Sequence, residues 1–202
     1  MHYVNLPVNY LKASLLVAAS NDIRYYLNGV LVRVRENDVL IAATDGHRLS
    51  VFQVKNADGA GDNTPAEVII PREVLKGIKP LNRHFENCTL NYDAAQPLAK
   101  CRLAALKDGD RVFTPIDGKF PVVMRVIPDK VSGKKGFFNP FYLADFANLV
   151  RIASGMNTGY PDVRDNGIGC AAVTYAALPD WVGAIMPMDW EAADKYQRPA
   201  WL

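Results

Sequence analysis

The stretch AATDGHRLSVF, Ala42 to Phe52, sets an acid, an imidazole and a guanidinium (Asp45, His47 and Arg48) between two apolar runs. Such a set could pass a proton, because general acid–base chemistry needs titratable partners in hydrogen-bond reach within a pocket. The rest of the chain supplies no matching nucleophile. Gly-x-Ser-x-Gly, the phosphate-binding loop pattern and His-Glu-x-x-His are all absent. The other histidines, His2 and His84, stand in unrelated contexts, His84 beside Arg83 on an expected exposed turn. The segment therefore reads as a polar turn between strands, with the imidazole and carboxylate bonding local backbone. No catalytic residue is assigned.

Metal and redox chemistry find no better support. Cys88, Cys101 and Cys170 are far apart and odd in number, which fits buried free thiols in a reducing compartment. No His/Cys spacing suits zinc, and the turns around Asp108 and Asp165 lack the graded acids of a calcium loop. No metal or cofactor is expected. Arg24-Tyr25-Tyr26 could stack on bases, or divide into a core and a surface tyrosine. Lys130, Lys134 and Lys135 read as a solvated loop. Met186-Pro187-Met188 is soft and apolar, and suits either core packing or an adaptable peptide surface.

These residues must be carried by a fold. Half the chain's 202 residues are hydrophobic, enough for a core, and the net charge of +2 argues against a tight, charge-driven nucleic-acid binder. The chain reads as one or two small domains. No signal peptide or membrane helix is evident, so a cytoplasmic home is expected. Residues 6–20 have helical spacing, and 25–36, 39–46 and 47–54 read as three strands. After the Gly- and Asp-rich loop 57–65 the pattern restarts. It gives a strand at 66–71, a helix at 72–81 and strands at 88–93, 99–106 and 111–116. A third restart places a strand at 135–139, a helix at 140–153 with Pro140 in its first turn, and strands at 166–178 and 181–188. Gly167 and Gly169 weaken the first of these last two. The expectation is an α+β protein of three strand–helix–strands copies, stacked because one copy cannot bury its apolar face alone.

Four pieces, RYYLNGVL (24–31), ATDGHRLS (43–50), FPVVMRVIP (120–128) and IMPM (185–188), together resemble the β sliding clamp family of bacterial DNA polymerase III. Val122, Val123 and Met124 stand where that family usually has more polar residues. The resemblance implies the DNA-clamp fold of repeated βαβββ units, with helices on one face of antiparallel sheets. Residues 1–125 would be a middle-domain-like pair of units, 126–190 half of a last domain, and 191–202 a tail.

In that family two three-domain chains close a ring around DNA and tether polymerase without making or breaking bonds. Partners insert a short peptide, roughly Q-x-x-L-F, between middle and last domains. Carried over, that groove comprises Leu27, Thr44, Gly46, His47, Arg48, Leu49, Pro121, Arg125, Val126, Ile185, Met186, Pro187 and Met188. Loose contacts to double-stranded DNA fall on Arg24, Tyr25 and Tyr26. The implied partners are double-stranded DNA, DNA polymerase and other proteins bearing the clamp-binding motif. Four copies of three units would match a family ring, so a homo-oligomer is expected. A non-encircling module that holds or sequesters clamp-binding peptides is the competing expectation. The tail's Gln197-to-Leu202 loosely mimics such a peptide, or is simply a packed or frayed end.

Overall fold

The computed structural model describes residues 1–55, 64–78, 86–106, 108–157 and 159–188. Most of the loop 57–65, the Arg83–His84 pair and the tail 191–202 lie outside them.

The first unit runs β1 (His2–Pro7), α1 (Val8–Ser14), β2 (Gly29–Val34), β3 (Asp38–Thr44) and β4 (Arg48–Lys55). The second runs β5 (Ala66–Pro71), α2 (Arg72–Lys76), β6 (Asn87–Tyr92), β7 (Cys101–Ala104) and β8 (Arg111–Phe113). The third holds α3 (Pro140–Ser154), β9 (Asp162–Arg164), β10 (Ala171–Thr174) and β11 (Trp181–Ile185).

The first two units exchange their leading strands. β1 leaves its own unit to pair antiparallel with β6, His2 opposite Tyr92 and Pro7 opposite Asn87. β5 returns the exchange on β2, Gly29 opposite Pro71 and Val34 opposite Ala66. The result is a four-stranded sheet, β1-β6-β7-β8, and a seven-stranded sheet, β5-β2-β3-β4-β11-β10-β9. The third unit joins the large sheet through β11 against β4, Ala184 opposite Leu49.

Proline sets each of the first two strand-to-helix corners: Pro7 and Pro71 keep extended backbone just before α1 and α2. Two cations then link the helices. Lys12 Nζ of α1 donates to the carbonyls of Lys76 and Ile78 past α2. Arg72 Nη1 of α2 donates to the carbonyls of Leu15 (2.8 Å) and Ala18 (2.9 Å) past α1. Each helix thus has its orphan C-terminal acceptors satisfied by the other. α3 starts on Asn139, whose side chain accepts from the Phe141 amide, with Pro140 next, and stops at Gly155 in the left-handed region.

Strand side chains alternate across the large sheet. Val30, Val32, Val39, Ile41, Phe52, Val68 and Ile70 face the helices and the small sheet in the main core. Leu31, Leu40, Ala42, Leu49, Val51, Ile69 and Ala184 face the other way, covered by Leu27, Phe120 and Val123. A sheet buried on both faces needs near-continuous apolar strands, and β3 is buried at every position.

Three sequence expectations change. The helix expected at 6–20 is α1 alone, because residues 15–20 turn to bring Leu15 and Ala18 under Arg72. The strand expected at 166–178 is cut to β10, because Gly167 takes φ +62° and residues 167–169 turn. β9, three residues long, supplies a further strand. The strand expected at 135–139 is not formed: among the described residues this segment joins neither sheet.

Candidate functional site

The turn between β3 and β4 is held by its own side chains. Asp45 Oδ1 accepts from the amides of His47 (2.9 Å) and Arg48 (3.1 Å). Thr44 Oγ1 accepts from the Gly46 amide (3.0 Å) and donates to the Arg48 carbonyl (2.6 Å). These are local bonds of the kind that short polar side chains make in turns.

Gly46 is required here. Its φ is +93°, and a Cβ would sit 2.7 Å from the Arg24 guanidinium. Gly46→Ala is expected to cost about 1–2 kcal/mol from left-handed backbone strain and to displace Arg24. A denaturant midpoint unchanged from wild type would contradict this.

Arg48 is partly buried, its side chain 9% exposed. Nε pairs with Asp45 Oδ2 (2.9 Å), Nη1 with Asp145 Oδ2 of α3 (2.5 Å), and Nη2 donates to the Leu16 carbonyl (3.1 Å). Its guanidinium also lies 4.3 Å from the Tyr142 ring centre, a cation–π distance. Arg48 therefore ties the turn to α1 and α3. The His47 ring stacks toward the same tyrosine at 6.2 Å, and the His47 carbonyl accepts from the Met186 amide (2.8 Å).

On the other flank, Arg24 Nη2 donates to the Asp45 carbonyl (3.1 Å), while Nε and the backbone amide bond Asp22. Hydrogen bonds from Arg24 hold the Asp22 carboxyl down at about 2. A folded-state value below the ordinary one means the pair's contribution is complete above pH 3.8 and is lost as pH falls toward 2. The Asp22 carboxyl carbon, followed by NMR, is expected to titrate near 2; a midpoint at the ordinary 3.8 would remove the pair.

Together these parts enclose a cavity of about 260 Å³ between the turn, the 120–126 segment and β11. Of the groove residues expected from sequence, Leu27, Thr44, Gly46, His47, Arg48, Leu49, Pro121, Val126 and Met186 line it. Ile185 does not: strand alternation turns it into the main core, fully buried, while Ala184 and Met186 face the cavity. Pro187 and Met188 line a neighbouring hollow of about 700 Å³ with Lys134, Lys135, Phe137 and Ile168. Arg125 is exposed in the 3₁₀ turn Val123–Arg125, outside the cavity lining.

The residues expected on DNA divide. Arg24 and Tyr26 line the cavity, and Tyr25 is 57% exposed. The cavity also takes Val123, Cys170 and Ala184. Ala184 was findable from its two-residue step to Met186; Cys170 carried no local signal. Burial pushes the Cys88 thiol up to about 12 and Cys101 up to about 11, and it raises Cys170 too. Among the described residues no cluster of three or more metal-ligating side chains occurs, and no helix is long and apolar enough to cross a membrane.

The family model "DNA polymerase III beta subunit, central domain" matches residues 8–122. The chain is 33% identical over 117 residues to the beta sliding clamp of Vibrio cholerae, covering 56% of this chain and 29% of that protein. To the beta sliding clamp of Escherichia coli K12 it is 32% identical over 123 residues, 58% of this chain and 30% of that protein. It thus spans under a third of these relatives' length. The crystal structure of the DNA polymerase III subunit beta from Pseudomonas aeruginosa superposes with a TM-score of 0.68 at 18% identity, over 92% of this chain and 65% of that one. At that identity the likeness speaks for the fold, an α+β DNA clamp. With more than half its residues matched by the family model, the chain belongs to the β sliding clamp family, whose members are not enzymes.

Proposed function

We propose that the protein is a sliding-clamp-like tether that holds replication or repair factors to DNA through the cavity beside His47. The cavity carries this reading: an apolar floor of Leu27, Leu49, Ala184 and Met186 meets a polar rim at Thr44 and His47. An aliphatic or aromatic anchor of a short peptide suits such a floor, while the rim orients the backbone. Its partners are DNA polymerase, other proteins with a Q-x-x-L-F-like motif, and double-stranded DNA held loosely. In this reading residues 1–125 act as a clamp middle domain and 126–190 as half of a last domain, in the cytoplasm, with four chains making up an equivalent ring.

A fluorescent peptide of that motif, titrated into the full chain, tests the cavity. Met186→Ala is expected to weaken binding about tenfold, from the loss of roughly 1–1.5 kcal/mol of apolar contact. Met188→Ala, in the neighbouring hollow, is expected to leave affinity unchanged. Equal losses from both would place the peptide elsewhere.

One observation favours a second reading, a module that holds such peptides without encircling DNA. The cations nearest the proposed DNA contact are already engaged, Arg24 by Asp22 and Arg48 by Asp45 and Asp145. Retention on closed circular DNA but release from linear DNA supports the encircling tether. Loss from both, with peptide binding intact, supports the module.

A further inference from the structure

The first two units show how a unit of this fold is completed. The six residues directly before α1 form β1, which adds to β6, the first strand of the other unit's meander. The six directly before α2 form β5, which adds to β2 in the same way. The third unit has both halves of this exchange and, among the described residues, no counterpart. The six residues before α3, Lys134 to Asn139, belong to neither sheet among the described residues, and Asn139 at their end keeps extended backbone. β9 holds the place of β2 and β6, at the head of the meander β9-β10-β11, and ends the large sheet with one side unpaired among the described residues.

The details match position by position. Leu6 and Ile70, fifth in their leading strands, are fully buried, and Phe138, fifth in its segment, packs on the same core. Thr64, just ahead of β5, accepts through its carbonyl from Tyr92 Oη at the end of β6 of its own unit (2.6 Å). Likewise Gly133 donates to the Asp165 carbonyl (2.9 Å), just past β9, and the Lys134 carbonyl accepts from the Gly167 amide (2.7 Å). Within the segment the Gly136 amide donates to Asp165 Oδ1 (3.3 Å) and the Phe137 carbonyl accepts from the Met188 amide (2.7 Å), as the Ile69 carbonyl of β5 accepts from Ile116 (3.0 Å). Among the described residues, the amides of Lys135, Phe137 and Phe138 donate no hydrogen bond and the carbonyls of Lys135, Gly136 and Phe138 accept none. Backbone groups left unpaired along a segment are a template for another strand. Charge agrees with the antiparallel sense: Lys134 and Lys135 open the segment without ion pairs among the described residues, and Asp165 follows the strand that would receive them. Phe141, Tyr160 and Ile168, each more than three-quarters exposed, flank the two elements in sequence.

We propose that the third unit is completed by a second copy of this chain, each copy lending residues 134–139 to β9 of the other. The contact is the same patch on both copies, so it closes on itself as a two-fold dimer. It depends on the unit pattern alone and stands whatever the cavity binds. Two such dimers, joined elsewhere, would contain the four chains of the proposed ring.

Light scattering on the full chain over a range of concentrations tests the pairing. Wild type is expected at twice the mass of one chain, or a multiple of it. Phe138→Pro removes an amide that bonds nothing among the described residues and lies on the side away from Met188, where a ladder needs it, so it is expected to halve the mass with unchanged circular dichroism. A wild type that stays monomeric, or a folded Phe138→Pro variant of unchanged mass, overturns the proposal. Should that variant not fold, amide exchange of wild type decides. Exchange at Gly136 and Phe138 is expected to be slow when concentrated and fast on dilution; exchange independent of concentration refutes the pairing.

Discussion

Trp181→Ala is expected to cost about 3–5 kcal/mol, the range for removing a large aromatic side chain from a packed core. Trp181 opens β11 where the third unit meets the first, is 3% exposed, and lies 6.3 Å from the Phe52 ring and 5.8 Å from the Phe146 ring. Its indole Nε1 donates to Ser50 Oγ (2.9 Å), so truncation also leaves a fully buried hydroxyl without its donor. Packing is tight on that same face: a Cβ on Gly183 would meet Phe146 at 2.9 Å and the Trp181 ring at 3.0 Å. The loss falls at the junction of units rather than inside one. Urea unfolding of the variant is therefore expected to split, with the third unit released first. Trp181→Phe, which keeps the ring and loses the hydrogen bond, is expected to cost about 1–2 kcal/mol. A single transition at the wild-type midpoint in Trp181→Ala would show that the junction is held elsewhere.

Arg48→Met is expected to cost about 3 kcal/mol. Breaking a buried ion pair from one side leaves the partner charge uncompensated, and the usual loss of about 3–5 kcal/mol applies only to fully buried partners. Here Asp145 is 36% exposed and can rehydrate, which puts the cost at the lower end. Lysine is not a substitute, because one ammonium cannot bridge Asp45, Asp145 and the Leu16 carbonyl while lying over Tyr142. Arg48→Lys is thus expected to recover less than half the loss. A double-mutant cycle with Asp145→Asn is expected to show coupling of about 1–2 kcal/mol. Zero coupling would mean that the pair does not hold α3 to the turn.

Much of the fold is legible in the sequence because both faces of the large sheet are buried. β2, β3 and β4 carry long apolar runs broken by Asn37 and by the Asp45–Gly46 turn, and they read as strands at once. β9 is three residues, Asp-Val-Arg, with no alternation to notice. Residues 135–139 have strand-like side chains but join neither sheet among the described residues, and sequence pattern speaks for propensity, not for the presence of a neighbour. The cavity was legible in part. Short motifs identified its turn and its methionine. They did not reveal Arg48 as a partly buried clasp, since its partner Asp145 is 97 positions away. Nor did they separate Met186 from Met188, a distinction created where β11 ends and the chain turns toward Phe137.

The strand exchange between the first two units also governs how the chain can be made. β1 finds its partner only when β6 has been synthesised, because His2 lies opposite Tyr92. At translation rates of about 5–20 residues per second, the delay is on the order of ten seconds. Throughout it Val4 and Leu6, fully buried in the finished protein, sit on an open strand edge. α1 waits too, since the Arg72 that caps it arrives with the second unit. Non-local pairing of this kind slows folding, so the first unit stays open until the second has been made.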